Sequence, residues 1–394
     1  MRVKKRLALA ILSTCFVHGV ANTAPVEVNL KKDTVEEQRI GKANSAIPHA
    51  LSTHQARIAE LKEQLDKARN YTALMQLVIR HAPALWEESV HSFNTQGDYD
   101  DRPLYWSRLK MKSILRKAPA FAELLPDQQE ALLWAFELYS RGQRDVKFDK
   151  NADIKVLLTG FDPFHLDKSI RQSNPSGVAA HEFDDLFLSI DGKKIEIETL
   201  IFPVRFEDFD KGMVEELLTP YYRNTKVDMV FTVSMGREDF DLERFPGLRR
   251  SSFAPDNLNV HTGAKPENPL VPKLNGKPLN GPEFMQFSLP AKAMLEVQTP
   301  FKVNDNHKVT TLNKTFYPKR LSELNGEISV RGSGGGYLSN EISYRSLLLR
   351  EQYNPLMVVG HIHTPKFVGF EPEKSEKIVK QIKNMVIKAA GSLN

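Results

Sequence analysis

Apolar positions return every three or four residues through the first third of the chain, and beyond it they gather into short continuous runs. In STHQARIAELKEQLDKARN, Ile58, Leu61, Leu65 and Ala68 fall on one helical face, and Ser52 is placed to cap it. YWSRLKMKSILRKAP reads as helix again. A further helix is predicted from Pro126, with Asp127 and Glu130 favouring its N-terminal turn and Leu132, Leu133, Phe136 and Tyr139 turned inward. After the polar stretch RGQRDVKFDKNAD the character changes: KVLLTGF, KIEIETLIFPV, VDMVFTV and LMVVGHIH are strand-length apolar runs rich in branched residues. FEDFDKGMVEELL and SNEISYRSLLLRE, both helical in pattern, separate them. Strands buried on both faces and alternating with helices predict an α/β fold, a three-layer sandwich around a mostly parallel, twisted sheet, preceded by a helical N-terminal region. Function in such sheets gathers where strands end and loops lead into helices.

The N-terminus has a different pattern. Arg2, Lys4, Lys5 and Arg6 precede LALAILSTCFVHGV, an apolar run too short to span a bilayer and suited to a secretory signal, with Ala21 the preferred cleavage point because Pro25 disfavours a later cut. The predicted organisation is a signal peptide over residues 1–21, a helical domain over 22–150 and an α/β domain over 151–394. Export to a periplasm or out of the cell follows, with no stable membrane insertion after cleavage. The formal charge of +5 includes four basic and no acidic residues in the first 21, so the remainder is near +1 and gives no case for a nucleic-acid partner. The single cysteine, Cys15, lies in the same segment, where Leu12-Ser13-Thr14-Cys15 is a poor lipobox, so the mature chain has neither disulfide nor thiolate metal site.

GSGGGYLSNEISYR, Gly332 to Arg345, concentrates glycines just before a helix. Such a run lets backbone N–H groups face an anion at the helix start. It lacks the Gly-Lys-Ser/Thr ending of a nucleotide P-loop. Two readings stay open: Ser339 is a nucleophile with N–H groups stabilising an oxyanion, or it is an N-cap and the glycines only turn the chain. A serine nucleophile needs a base and a group to orient it. His363 ends a predicted strand, and His361 points to the same face, an arrangement that also suggests a metal pair but lacks a third ligand nearby. In GREDFDLERF, Glu238, Asp239, Asp241 and Glu243 compete as the orienting acid, and a solvated acidic loop is the plain alternative.

The segment from Lys155 to the C-terminus resembles the pyroglutamyl peptidase I family, cysteine peptidases that remove an N-terminal pyroglutamate. KVLLTGFDPF, NPSG at Asn174 to Gly177, PVRF at Pro203 to Phe206, the pairs Gly236-Arg237 and Glu243-Arg244, PDN at Pro255 to Asn257, SLPAKAM at Ser288 to Met294, the glycine stretch and GHIHTP occur in family order. The resemblance implies Glu243 as the orienting glutamate, His363 as the histidine, and Phe161 and Phe164 as the aromatic residues around the pyroglutamyl ring. It places Gly335, Gly336 and Arg237 in the oxyanion and loop region. The family's cysteine stretch, approximately AGTFVCNHLMYG, laid on GGGYLSNEISYR puts the cysteine on Ser339.

Several departures accompany that replacement. The loop between Val233 and Arg237 is about two residues shorter than the family's, Glu341 stands where the family has a histidine, and extra residues lie at roughly Val297 to Asn325. The helical region has no counterpart in the family. The expectation is an exported hydrolase that removes a pyroglutamyl or related group from a peptide with a blocked N-terminus, by a Ser339-His363-Glu243 variant of the family's Cys-His-Glu triad. It needs no metal or organic cofactor and admits self-association. The alternative is an inactive relative that binds a peptide or a partner.

Overall fold

The chain was described in a computed structural model over residues 29–223 and 227–393; the predicted signal peptide and Cys15 lie outside the described residues. Three short helical segments between Val35 and Ser52 lead into helices α1 (Gln55–Lys67), α2 (Tyr71–Gln96), α3 (Arg102–Lys117) and α4 (Pro126–Tyr139). The apolar stripe of α1 buries Ile58, Leu61 and Leu65 as its period requires. Its cap does not: Ser52 ends the preceding helical segment and bonds back to His49 O, while His54 takes the N-cap position without a side-chain bond. Asn70 caps α2 by accepting from Ala73 N. None of the described helices is long and apolar enough to cross a membrane.

The second part is built on a seven-stranded sheet. Its strands are β1 (Ile154–Phe161), β2 (Leu186–Ile190), β3 (Lys193–Phe202), β4 (Met229–Met235), β5 (Phe240–Glu243), β6 (Val303–Asn306) and β7 (Val358–Thr364), in the spatial order β2-β3-β1-β4-β7-β5-β6. The central β3, β1, β4 and β7 are parallel, β2 and β5 run antiparallel to their neighbours β3 and β7, and β6 lies parallel to β5. Helices α5 (Pro175–Phe183), α6 (Met213–Arg223), α7 (Leu338–Tyr353) and α8 (Pro372–Gly391) connect or flank them. The α/β class and its mostly parallel sheet are thus as the sequence predicts.

Two segments differ from their sequence reading. FEDFDKGMVEELL makes two helices rather than one, because the chain turns at Gly212 with φ +89° between Phe206–Asp210 and α6. GREDFDLERF is partly strand: Phe240–Glu243 is buried against β7 with Ile362 opposite Leu242. The extra residues after Val297 form β6, and a small three-stranded sheet (Val309–Thr311, Thr315–Phe316, Ser329–Arg331) follows.

The helical part and the sheet share their cores. Phe93, Leu138 and Val146 pack into the core around the sheet, and Ala180 and Ile201 pack into that of the helices. Between them lies a buried charge cluster with five basic groups (Arg108, Lys112, Arg116, Arg141, Arg205) and five acidic ones (Glu36, Glu37, Glu137, Asp162, Asp208). Glu137 is its hub, with Lys112, Arg141 (2.7 Å) and Arg205 (2.8 Å) on it. Asp162 receives Arg108 and Arg141, each at 2.8 Å.

Candidate active site

The parallel strands deliver Phe161, Met235 and His363 to one edge of the sheet, since β1, β4 and β7 all end there. Asp162, the residue after Phe161, is the one held by the charge cluster, so the helical part fixes the first loop of the site directly. A second anchor is Asp101, which accepts from Ser173 Oγ (2.5 Å) and Asn174 N (3.1 Å). Asn174 caps α5 and donates to Asp162 O, while Ser176 Oγ accepts from Phe161 N. Asn257 donates to Pro163 O and Asp256 accepts from Phe206 N. The NPSG, PVRF and PDN segments are therefore the scaffold of the FDPF loop.

At the other side of the edge, His363 Nδ1 lies 2.6 Å from Glu243 Oε1. Glu243 is fully buried and His363 is 6 % exposed. The second carboxylate oxygen of Glu243 accepts from Asn306 Nδ2 at 2.8 Å, and the same amide donates to Ser333 O. Of the four acids, Glu243, the one the resemblance implies, is the one paired with His363. Glu238 pairs with Lys366 at the surface, Asp241 accepts from Asn304 Nδ2, and Asp239 has no such role. Burial and the neighbouring Glu243 push Asp241 above the usual carboxylate range. Asn306 was invisible to sequence reasoning, for it arrives on β6 from the added segment, opposite Glu243 in register.

His361 is a packing histidine. Thr232 Oγ1 and Ser234 Oγ each lie 2.8 Å from one of its ring nitrogens, so both are occupied. Burial, with His363 beside it, holds it well below the usual histidine range and therefore neutral. The HxH pair is not a metal site.

The glycine run makes a sharp entry to α7. A Cβ on Gly332 would stand 2.1 Å from Asn340 Oδ1, and Gly335 has φ +90° with its N–H given to Gly332 O. Gly335 therefore shapes the turn rather than offering a donor to an oxyanion. Gly336 O accepts from Ser251 N and Ser252 N. Arg237 is exposed, at the rim, with its backbone carbonyl accepting from Lys366 N. Ser339 is not the cap of α7: Tyr337 occupies that position without a side-chain bond, and Ser339 is the second helical residue. Its hydroxyl makes a long bond, 3.4 Å, to Gly334 O, and among the described residues no hydrogen bond joins it to His363. Gly334 is the link between them, since a Cβ there would be 3.6 Å from His363 Cε1. The first-turn amides of α7 face this end, and Glu341 fixes the helix: burial alone would raise its carboxyl, but Arg250 and Arg345 hold it below the ordinary value.

Ser339, Tyr337, Phe161, Phe164, Asn174 and Ser234 line one small cavity of about 40 Å³. Phe161 is buried and stacked near-parallel on Phe209 at 6.3 Å, while Phe164 is half-buried. The residues predicted for ring binding and nucleophilic attack thus meet in one place, with the Glu243–His363 pair next to it.

Asn306 gives a first prediction. Asn306→Ala removes one donor from a buried carboxylate and frees Glu243 to turn from His363, so kcat of any reaction that uses the Glu243–His363 pair should fall about 10- to 100-fold with KM little changed. Equal losses in kcat and folded fraction would instead mark Asn306 as structural.

A buried carboxylate–imidazole pair and a hydroxyl lie at the carboxyl edge of a mostly parallel sheet in an α/β protein with an N-terminal helical region. Two family profiles match it in order: the PA0049 N-terminal domain over residues 19–137 and the PA0049 C-terminal domain over residues 155–274 and 298–368. The chain belongs to the PA0049 family. It is 28% identical over 391 residues to an uncharacterized protein, PA0049, of Pseudomonas aeruginosa, covering 75% of this chain and 70% of that one. Among solved structures it is similar to pyrrolidone carboxyl peptidase of Pyrococcus furiosus, with 22% identity and a TM-score of 0.43 over 61% of this chain and 100% of the other. The pyroglutamyl peptidase I of Bacillus amyloliquefaciens gives 20%, 0.41, 60% and 95% in the same terms. The profile match at 298–368 includes β6, so Asn306 lies within the family's own domain.

Proposed function

We propose that this protein is an acyl hydrolase of the pyroglutamyl peptidase I type in which Ser339 replaces the cysteine nucleophile. The observation that carries the reading is the 2.6 Å Glu243–His363 pair beside a cavity shared by Ser339, Phe161 and Phe164. Glu243 holds Nδ1 of His363, which leaves Nε2 to take a proton. Ser339 Oγ, turned from Gly334 O toward His363, attacks the acyl carbon and transfers its proton to Nε2. The oxyanion then forms against the first-turn N–H groups of α7, where the helix dipole favours negative charge. Collapse expels the amine with the proton from His363, and water releases the acyl group by the same steps in reverse order.

The substrate is a peptide with a pyroglutamyl or related small cyclic N-terminal group, its ring between Phe161 and Phe164. The cavity holds only a few water-sized groups, so entry of a ring calls for the half-buried Phe164 or Tyr337 to turn. Export through the basic and apolar N-terminus belongs to this reading. In an oxidising compartment an exposed low-pKa thiol is disabled by oxidation, and a hydroxyl is not.

The purified protein should hydrolyse a fluorogenic pyroglutamyl amide and label with a fluorophosphonate, and Ser339→Ala should abolish both. Labelling that persists in Ser339→Ala would remove the nucleophile assignment. A wild type that neither labels nor hydrolyses but binds a pyroglutamyl peptide would be a binding protein; the long Ser339–Gly334 bond, with none to His363, is the observation on that side.

A further inference from the structure

Glu198 on β3 is 1 % exposed, yet among the described residues no donor group reaches either of its carboxylate oxygens, and its side-chain neighbour is the carboxyl of Asp185. Leaving such a group unpaired is costly, and native chains rarely do so without a ligand or a shared proton. The register shows what it faces. Leu186 pairs with Ile197 across the antiparallel β2–β3 ladder, so the preceding Asp185 stands opposite Glu198 on the same face. Asp184 and Asp145 complete the group: carboxylate oxygens of Asp145, Asp184 and Asp185 all lie within 4.8 Å of one another.

Charge makes the arrangement unusual. Apart from burial, the influences on Glu198 are Asp184, Asp185, Asp145 and Glu196, all acidic, and together they push it up to about 10. Lys147 acts on Asp185. Among the described residues no arginine or lysine forms an ion pair with Asp145, Asp184, Asp185 or Glu198, whereas Glu137 and Asp162 are each held by two or more basic groups.

We propose that Asp145, Asp184 and Asp185 bind a hard divalent cation, with the buried Glu198 opposite Asp185 adding negative charge beside it, and that the ion ties the helical part to the β2–β3 edge of the sheet. An all-oxygen, carboxylate-rich set suits Ca²⁺, Mg²⁺ or Mn²⁺ rather than zinc or copper. Calcium is the expected ion, because it accepts several carboxylates in irregular geometry while Mg²⁺ keeps its water. The outer shell is in place: Thr199 N and Oγ1 both donate to Asp184 Oδ1, and Trp86 Nε1 donates to Asp145 Oδ2 and Asp184 Oδ2, each at 3.0 Å. Asp185 is exposed and gives the ion a way in. Strands β1 and β4 separate β3 from β7, so the cation takes no part in the chemistry at His363.

The test uses the purified protein stripped with EDTA and titrated with CaCl₂, MgCl₂ or MnCl₂. At saturating Ca²⁺ the Tm should rise by about 2–4 °C or more and return on chelation. Bound Tb³⁺ should luminesce on tryptophan excitation, because Trp86 touches two of the ligands, and Ca²⁺ should displace it. Asp184→Asn, which keeps the shape and removes the charge, should lose both responses while its circular dichroism stays that of the wild type; Glu198→Gln should weaken both. A response to Mg²⁺ or Mn²⁺ in place of Ca²⁺ supports the site with a different ion. A wild type insensitive to all three ions and to Tb³⁺, or responses unchanged in Asp184→Asn, would overturn it in favour of protons shared among the carboxyls.

Discussion

His363→Ala should lower kcat/KM for a pyroglutamyl amide by at least about 10³-fold, the effect expected when the base of a triad acting as a unit is removed. The loss should fall on kcat, since the proposed ring site lies between Phe161 and Phe164 and not on His363. Glu243→Gln should cost about 10²- to 10⁴-fold, because an amide can stabilise neither the imidazolium nor the required tautomer. His361 supplies the control. It sits two residues away on the same strand, but its ring is bound by Thr232 and Ser234, so His361→Ala should reduce stability and leave kcat of the folded fraction within a few-fold of wild type. Retained activity in His363→Ala would show that the Glu243–His363 pair is a core feature only. The same series in a Ser339→Cys background asks whether the pair also activates a thiol, which ionises more easily than a hydroxyl.

Glu137→Ala should destabilise the protein by about 3–5 kcal/mol, because it leaves Lys112, Arg141 and Arg205 buried without their shared carboxylate. Urea or thermal unfolding measures this, and a loss under about 1 kcal/mol would contradict the hub role. The pH dependence has a definite sign. Burial alone would raise Glu137, but Arg205, Lys112 and Arg141 hold it well below the usual range; Asp162 is lowered likewise by Arg108 and Arg141 against its own burial. A depressed folded-state value means that the stabilisation is present above the unfolded value, about 4 for these groups, and is lost as pH falls from there through the folded-state value. Glu137→Ala should flatten that acid limb. It should also reduce activity in the folded fraction, since Arg141 bridges Glu137 to Asp162 beside Phe161.

The strands β1, β3, β4 and β7 were legible because both their faces are buried and their apolar runs are continuous. β5 was not: PheAspLeuGlu carries two acids, and composition reads it as a solvated loop. Its acids are tolerated in a buried strand because β6 brings Asn304 and Asn306 opposite Asp241 and Glu243. Ser52 was misread for a related reason, since capping depends on the exact turn at which a helix starts, and His54 begins α1 two residues later than the polar signal suggests.

By itself the sequence determined the α/β class, the helical region before it, and the identity of Ser339, His363, Phe161 and Phe164 as candidates, because periodicity and ordered short segments are properties of the chain. Tertiary structure decided the rest. It seated Glu243, the acid the family resemblance already implied, against His363, occupied both ring nitrogens of His361, denied Ser339 the capping role and recruited Asn306 from the added strand. It also turned an unremarked helical region into the support of the site through Arg108, Arg141 and Asp101. Each of these depends on groups far apart in sequence meeting in a buried, low-dielectric place, where one hydrogen bond or one unpaired charge outweighs any local preference.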